Sequence, residues 1–300
     1  MAEFKGIFPA IITPMTREGK LNEAVFREVM EFNIRAGVHG FWIAGGTGES
    51  VMLDDEENQR LATAAADQNR GRVANIMHVG TPTTKRSAQL AEHAAQAGVE
   101  AICCVPPFFY TRTDDEIVEH YRVVAAAADL PLFVYNLPHM TGVEITVDLM
   151  GRIRDRVPQL KGLKHSSPNF PNVGAFARMG LTCFIGSSAL MLPALTVGAV
   201  GCVDGPPIIA PECWVEIWNA YRKGEVDRAE AAQRKAIDVI SLAVGIGGRF
   251  HAILKVVLSH RLGVDCGSPR PPGLPLSEEQ RRQVIDQADQ LGLGPVEIKP

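Results

Sequence analysis

The chain has 300 residues, 46% of them apolar and 21% charged, with a formal net charge of −4 at pH 7. Such a chain suits one large globular domain, or a domain with an appendage. No basic run offers a nucleic-acid surface, no apolar run is long enough to span a bilayer, and the N-terminus lacks the apolar core of a secretory signal, so neither a nucleic-acid nor a membrane partner is expected.

In chain order, eight apolar, β-rich segments read as strands: 6–15, 40–44, 73–79, 101–107, 132–137, 160–165, 182–186 and 199–203. Most are near-continuous apolar runs, as expected for strands buried on both faces of a parallel sheet. Helical stretches separate them. Asp54 is placed to N-cap one, and Thr113 with Glu116 has the capping-box spacing for another. Alanines and a leucine recur at helical spacing over 85–96, ending at Gly98. Eight strand–helix units in series predict an α/β fold, a (β/α)8 TIM barrel, over residues 1–223. The competitor, a doubly wound sheet, would want a phosphate fingerprint after its first strand, where Thr13-Pro14-Met15 stands instead. Helices are expected over 225–243 and 250–262, and Ser277 opens a last one with a capping box. Residues 224–300 are therefore read as a C-terminal helical appendage without a function of its own.

The six cysteines form no Cys-x-x-Cys pair, and the histidines no His-Glu-x-x-His motif. Free cysteines in strand-like segments pack as small apolar residues, which points to a reducing cytoplasm, and no metal site is announced.

Chemistry concentrates at three strand ends. Lys164 lies in Gly162-Leu163-Lys164-His165, Tyr135 in Val134-Tyr135-Asn136-Leu137-Pro138, and Thr47 in the turn Gly45-Gly46-Thr47-Gly48. Reactive groups of such barrels sit at the C-terminal ends of strands. A lysine amine is nucleophilic when neutral, and burial favours that form. Attack on a 2-oxo acid gives an iminium, an electron sink for the adjacent carbon–carbon bond. Tyr135 would shuttle protons, and the glycine-rich turn would hold a carboxylate on its amides, with Thr47 adding a hydroxyl. Against this stand a lysine that snorkels to water and a tyrosine that anchors a strand. His165 should point the other way from Lys164, and Glu49 reads as structural. His78 reads as a satisfied core histidine, although it would face the barrel mouth.

These motifs, with the opening Gly6–Pro14 segment and the late Arg270-Pro271-Pro272, resemble the dihydrodipicolinate synthase / N-acetylneuraminate lyase superfamily over nearly the whole chain. The resemblance implies a class I aldolase on a (β/α)8 barrel, commonly tetrameric or a dimer of dimers. It needs no cofactor beyond a covalent lysine imine. Lys164 would form that imine, Tyr135 relay protons, and Gly46 with Thr47 bind the carboxylate. Departures shape the substrate. Met140 stands where the synthases carry an arginine for a second carboxylate, which leans towards the lyase branch. Gly46 replaces the usual serine or threonine. The acidic residues that sialic-acid lyases place after the seventh strand are absent from Gly186-Ser187-Ser188-Ala189. Ser166, Ser188 and Asp204 suggest a polar distal pocket. Tyr110, in Pro107-Phe108-Phe109-Tyr110, is offset by one position from the synthases' tyrosine pair, a possible relay residue.

The expected activity is a carbon–carbon lyase that cleaves or forms a 2-oxo acid, with pyruvate and an aldehyde as partners, in sugar-acid catabolism. Alternatives are an imine-dependent dehydratase or hydratase-aldolase, a 4-hydroxy-tetrahydrodipicolinate synthase, and a non-catalytic 2-oxo acid-binding paralogue.

Overall fold

A computed structural model describes residues 3–296. Eight parallel strands lie in one sheet: β1 (Gly6–Pro9), β2 (Gly40–Ile43), β3 (Ala74–His78), β4 (Ala101–Cys104), β5 (Leu132–Asn136), β6 (Leu160–His165), β7 (Thr182–Ile185) and β8 (Gly201–Asp204). The order runs β1-β8-β7-β6-β5-β4-β3-β2, so each strand pairs with its sequence neighbour. A bridge between Ala10 and Trp42, with the His39 amide donating to the Ile7 carbonyl, brings β1 back to β2. The result is the expected TIM barrel.

The strands are shorter than the apolar runs that foretold them. The run over 6–15 forms a continuous strand only across Gly6–Pro9, with isolated bridges at Ala10 and Met15 beyond it. Ile11, Ile12 and Met15 stay buried although they have left the strand. Hydrophobicity reports burial, and the loops at this end of the barrel are buried too.

Helices follow the strands on the outside. Asp54 caps Asp55–Asn69 with a full capping box through Glu57, and Thr113 caps Asp114–Ala128 in the same way through Glu116. Thr84–Ala97 stops at Gly98, whose φ of 88° suits a residue without Cβ. Two cores result. Phe8, Trp42, Ile76, Cys103, Phe133 and Phe184 fill the barrel interior, with Phe8 and Phe133 rings 4.9 and 6.0 Å from Phe184. The larger core lies between sheet and helices.

Past Pro211–Lys223 come three more helices, Val226–Val244, Phe250–Leu262 and Glu278–Gln290, the last capped by Ser277. Among the described residues no helix is long and apolar enough to cross a membrane. All six cysteines are free and buried.

Candidate active site

At the C-terminal ends of the strands a cavity of ≈ 830 Å³ opens. Register places two buried polar side chains in its floor: Tyr135 on β5 pairs with Lys164 on β6, so both point inward at one level. Lys164 is 4% exposed and Tyr135 5%. The Lys164 amine lies 4.3 Å from the centroid of the Tyr135 ring and 5.5 Å from the Trp42 ring. The Tyr135 ring stands edge-on to Trp42, centroids 5.5 Å apart. Its hydroxyl makes no hydrogen bond among the described residues.

The next pair in that register turns outward, as strand alternation requires. The Asn136 side chain and His165 Nδ1 are 3.2 Å apart, and His165 Nε2 lies 3.0 Å from the Asn169 carbonyl. Asn136 also donates to Glu144 and accepts from the Ile145 amide. These bonds fix the segment after β5 that carries His139 and Met140.

The turn after β2 is built from glycines for distinct reasons. A Cβ on Gly45 would meet the Trp42 indole at 2.7 Å, and one on Gly46 would face only the Tyr135 hydroxyl, at 3.9 Å. Thr13 donates to the Gly48 carbonyl at 2.7 Å, tying the loop after β1 to this turn. The amides of Gly46 and Thr47 donate to no protein acceptor among the described residues. Glu49 adopts a left-handed φ of 63° and is buried. Its carboxylate accepts from Lys255 Nζ at 2.6 Å and from the Arg270 amide at 2.6 Å. Burial pulls the Lys255 ammonium below the ordinary lysine range, and Glu49 opposes that shift. Arg270 closes the clasp on the Glu57 carboxylate.

Of the residues singled out in the sequence, Gly46, Thr47, Tyr135, Met140, Lys164, Ser166 and Asp204 line this one cavity. Met140 is 73% exposed at its rim. Asp204 accepts from the Ser188 amide on Oδ2 (2.9 Å) and from the Gly205 amide on Oδ1 (2.8 Å), which fixes the carboxylate on the wall. Two residues are not brought in. Ser188 is fully buried outside the lining, its carbonyl accepting from Trp214 and Gln233, and Ser187 faces the cavity in its stead. A loop of hydroxyls does not say which one turns inward. Tyr110 is 65% exposed and outside the lining, because the preceding Phe109, at φ 80°, swings the segment away from the barrel.

Two further lining residues carried no sequence signal. Phe250 and His251 enter the cavity from the first turn of helix Phe250–Leu262, within the segment read as an appendage. Periodicity marks a helix's core face and is silent about its end. His251 Nε2 donates to the Gly46 carbonyl at 2.9 Å. His78 also lines the cavity, and it is not the satisfied core histidine expected. Its Nε2 is buried without a hydrogen-bond partner. Burial, with the nearby Lys164, pushes its pKa down to about 4, so the ring is neutral. Among the described residues no three His, Cys, Asp or Glu side chains gather as a metal-ligand set.

A pocket with a buried amine in its floor, a phenol beside it and free amides opposite has the parts for imine chemistry on a 2-oxo acid. Fold and site define the class: a carbon–carbon lyase of the class I kind, on a barrel, working through a lysine Schiff base. The model of the dihydrodipicolinate synthetase family matches residues 3–291, and the chain belongs to that family. It is 34% identical over 290 residues to an uncharacterised DapA-like lyase of Halobacterium salinarum, covering 96% of this chain and 94% of that protein. It is 30% identical over 292 residues to the N-acetylneuraminate lyase of Citrobacter koseri, covering 96% and 97%. A catalytic-lysine mutant of the Ruminococcus gnavus sialic acid aldolase superposes with a TM-score of 0.93 at 24% identity, covering 97% of this chain and 98% of that one, a likeness of fold.

Proposed function

We propose that this lyase cleaves or forms a 2-oxo acid with pyruvate as one partner, through an imine on Lys164, and that the second product is the aldehyde of a sugar acid. The observation that carries the reading is the buried Lys164 amine 4.3 Å from the Tyr135 ring, in a cavity floored by both. Tyr135 delivers the proton that lets the carbinolamine lose water. Thr47 and the amides of Gly46 and Thr47 hold the carboxylate. Ser166, Ser187 and Asp204 offer hydrogen bonds to the distal hydroxyls, and Met140 covers the rim.

Met140 carries no charge for a second carboxylate, which disfavours condensation with an aspartate-derived semialdehyde. A dehydratase is the second reading, supported by the fixed carboxylate of Asp204 on the distal wall. The exposed Phe109 and Tyr110 favour a second copy of the chain against this face, as in a tetramer, and Tyr110 would join a relay only across such a contact. Buried free cysteines suit a cytoplasmic setting.

Borohydride reduction with pyruvate should leave a stable adduct on Lys164 by mass spectrometry, absent in Lys164→Ala. A panel of 2-oxo acids assayed for pyruvate release then identifies the aldehyde. An adduct on another lysine, or none with any 2-oxo acid, refutes the assignment.

A further inference from the structure

We infer that His251 is the second proton-exchanging group of the site, returning to Tyr135 the proton it delivers. This rests on the imine reading above. Tyr135 is buried, and its hydroxyl has no hydrogen-bond partner among the described residues, so within the chain nothing recharges it directly. The space beside that hydroxyl is open on the Gly46 side: a Cβ there would meet only the hydroxyl, at 3.9 Å. On the same residue sits His251, whose Nε2 donates to the Gly46 carbonyl at 2.9 Å. That bond orients the imidazole and leaves Nδ1 as the nitrogen available for proton exchange. Phe250 stands edge-on beside it, centroids 5.6 Å apart, and both side chains line the cavity.

The titratable groups around the imidazole are few. Tyr135 and Lys164 lie in the floor, Asp204 at the end of β8, and His139 on the segment after β5. Glu49 is consumed by Lys255 and the Arg270 amide, and Arg249 is turned away to the Pro275 carbonyl. His78, held neutral by burial, is a poor proton carrier.

The step balances as follows. The carbinolamine on Lys164 breaks its carbon–oxygen bond, the oxygen leaving with the bonding pair while nitrogen's lone pair forms the iminium. The Tyr135 phenol gives its proton to the departing oxygen, which leaves as water. The phenolate takes a proton, through one water in the space beside Gly46, from protonated His251, and solvent reprotonates the imidazole.

Deuterium exchange into the methyl group of pyruvate, which needs imine and enamine but no unknown aldehyde, tests this. His251→Gln keeps an N–H for the Gly46 carbonyl and removes the titrating nitrogen. We expect its saturated exchange rate to fall ~10²-fold, the lower end for positioned acid–base groups, with half-saturation by pyruvate unchanged. The wild-type rate should decline as the imidazole loses its proton, and that decline should be missing in the variant. Adding Gly46→Ser, which places a hydroxyl beside Tyr135, should recover rate. Wild-type exchange with an unaltered pH profile in His251→Gln overturns the inference. So does a defect confined to half-saturation, which marks a clamp, or no recovery with the serine. So does loss of exchange in Tyr110→Phe with His251→Gln silent. Pyruvate that fails to trap on Lys164 in the wild type removes the imine reading itself, a separate outcome.

Discussion

Lys164 and Tyr135 depend on each other through geometry. The amine sits over the face of the phenol, 4.3 Å from the ring centroid, where the ring's negative quadrupole attracts a cation. The phenol is held at its edge by Trp42, so its hydroxyl is presented at a fixed place. Tyr135→Phe keeps those ring contacts and removes one oxygen. Turnover should fall by roughly 10²–10⁴-fold, with an unchanged circular dichroism spectrum. Near-native rates in steady-state assays would remove the phenol from the chemistry. These two residues were legible in the sequence because the motif and the strand end coincide. Ser188 was not, since neighbouring hydroxyls in Ser187-Ser188 differ only in which way the loop turns them, and that is set by Trp214 and Gln233, distant in sequence.

Among elements, helix Phe250–Leu262 matters most to the turn after β2. Lys255 and Glu49 form a buried ion pair, and the left-handed backbone at Glu49 is fixed by the contacts of its side chain. Removing one partner of such a pair leaves an uncompensated charge, at about 3–5 kcal/mol. Lys255→Met should lower stability by that amount in urea unfolding, and the Gly45–Glu49 turn should loosen with it. Adding Glu49→Gln should return part of the loss, since an uncharged pair is easier to bury. A single variant as stable as the wild type would show that the pair contributes nothing. The strands were readable as apolar runs and the caps as Asp54, Thr113 and Ser277. The clasp was not, because a lysine and a glutamate far apart in the chain carry no pattern until the fold joins them.

For the molecule as a whole, buried neutral imidazoles set an acid limit. Burial pushes both His78 and His120 down to about 4 from the ordinary histidine value of 6.5. Their folded values lie below the unfolded one, so the unfolded chain binds more protons between the two. The stability they permit is complete above about pH 6.5 and is lost as pH falls towards 4. Each histidine should withhold about 2 kcal/mol at about pH 5 relative to about pH 7.5. Urea midpoints should fall across that window, and a level midpoint would contradict the account.

The clasp also has a consequence for how the enzyme comes into being. The turn that begins at Gly45 is made early in synthesis. Its partners follow much later: His251 stands 205 residues after Gly46, and Lys255 and Arg270 stand 206 and 221 residues after Glu49. At the usual pace of a ribosome that gap lasts ~10–40 s. During it the strands bearing Tyr135 and Lys164 have emerged, but the turn opposite them is tied only to the loop after β1, through Thr13. The turn opposite Lys164 thus reaches its finished form only once most of the chain has been translated.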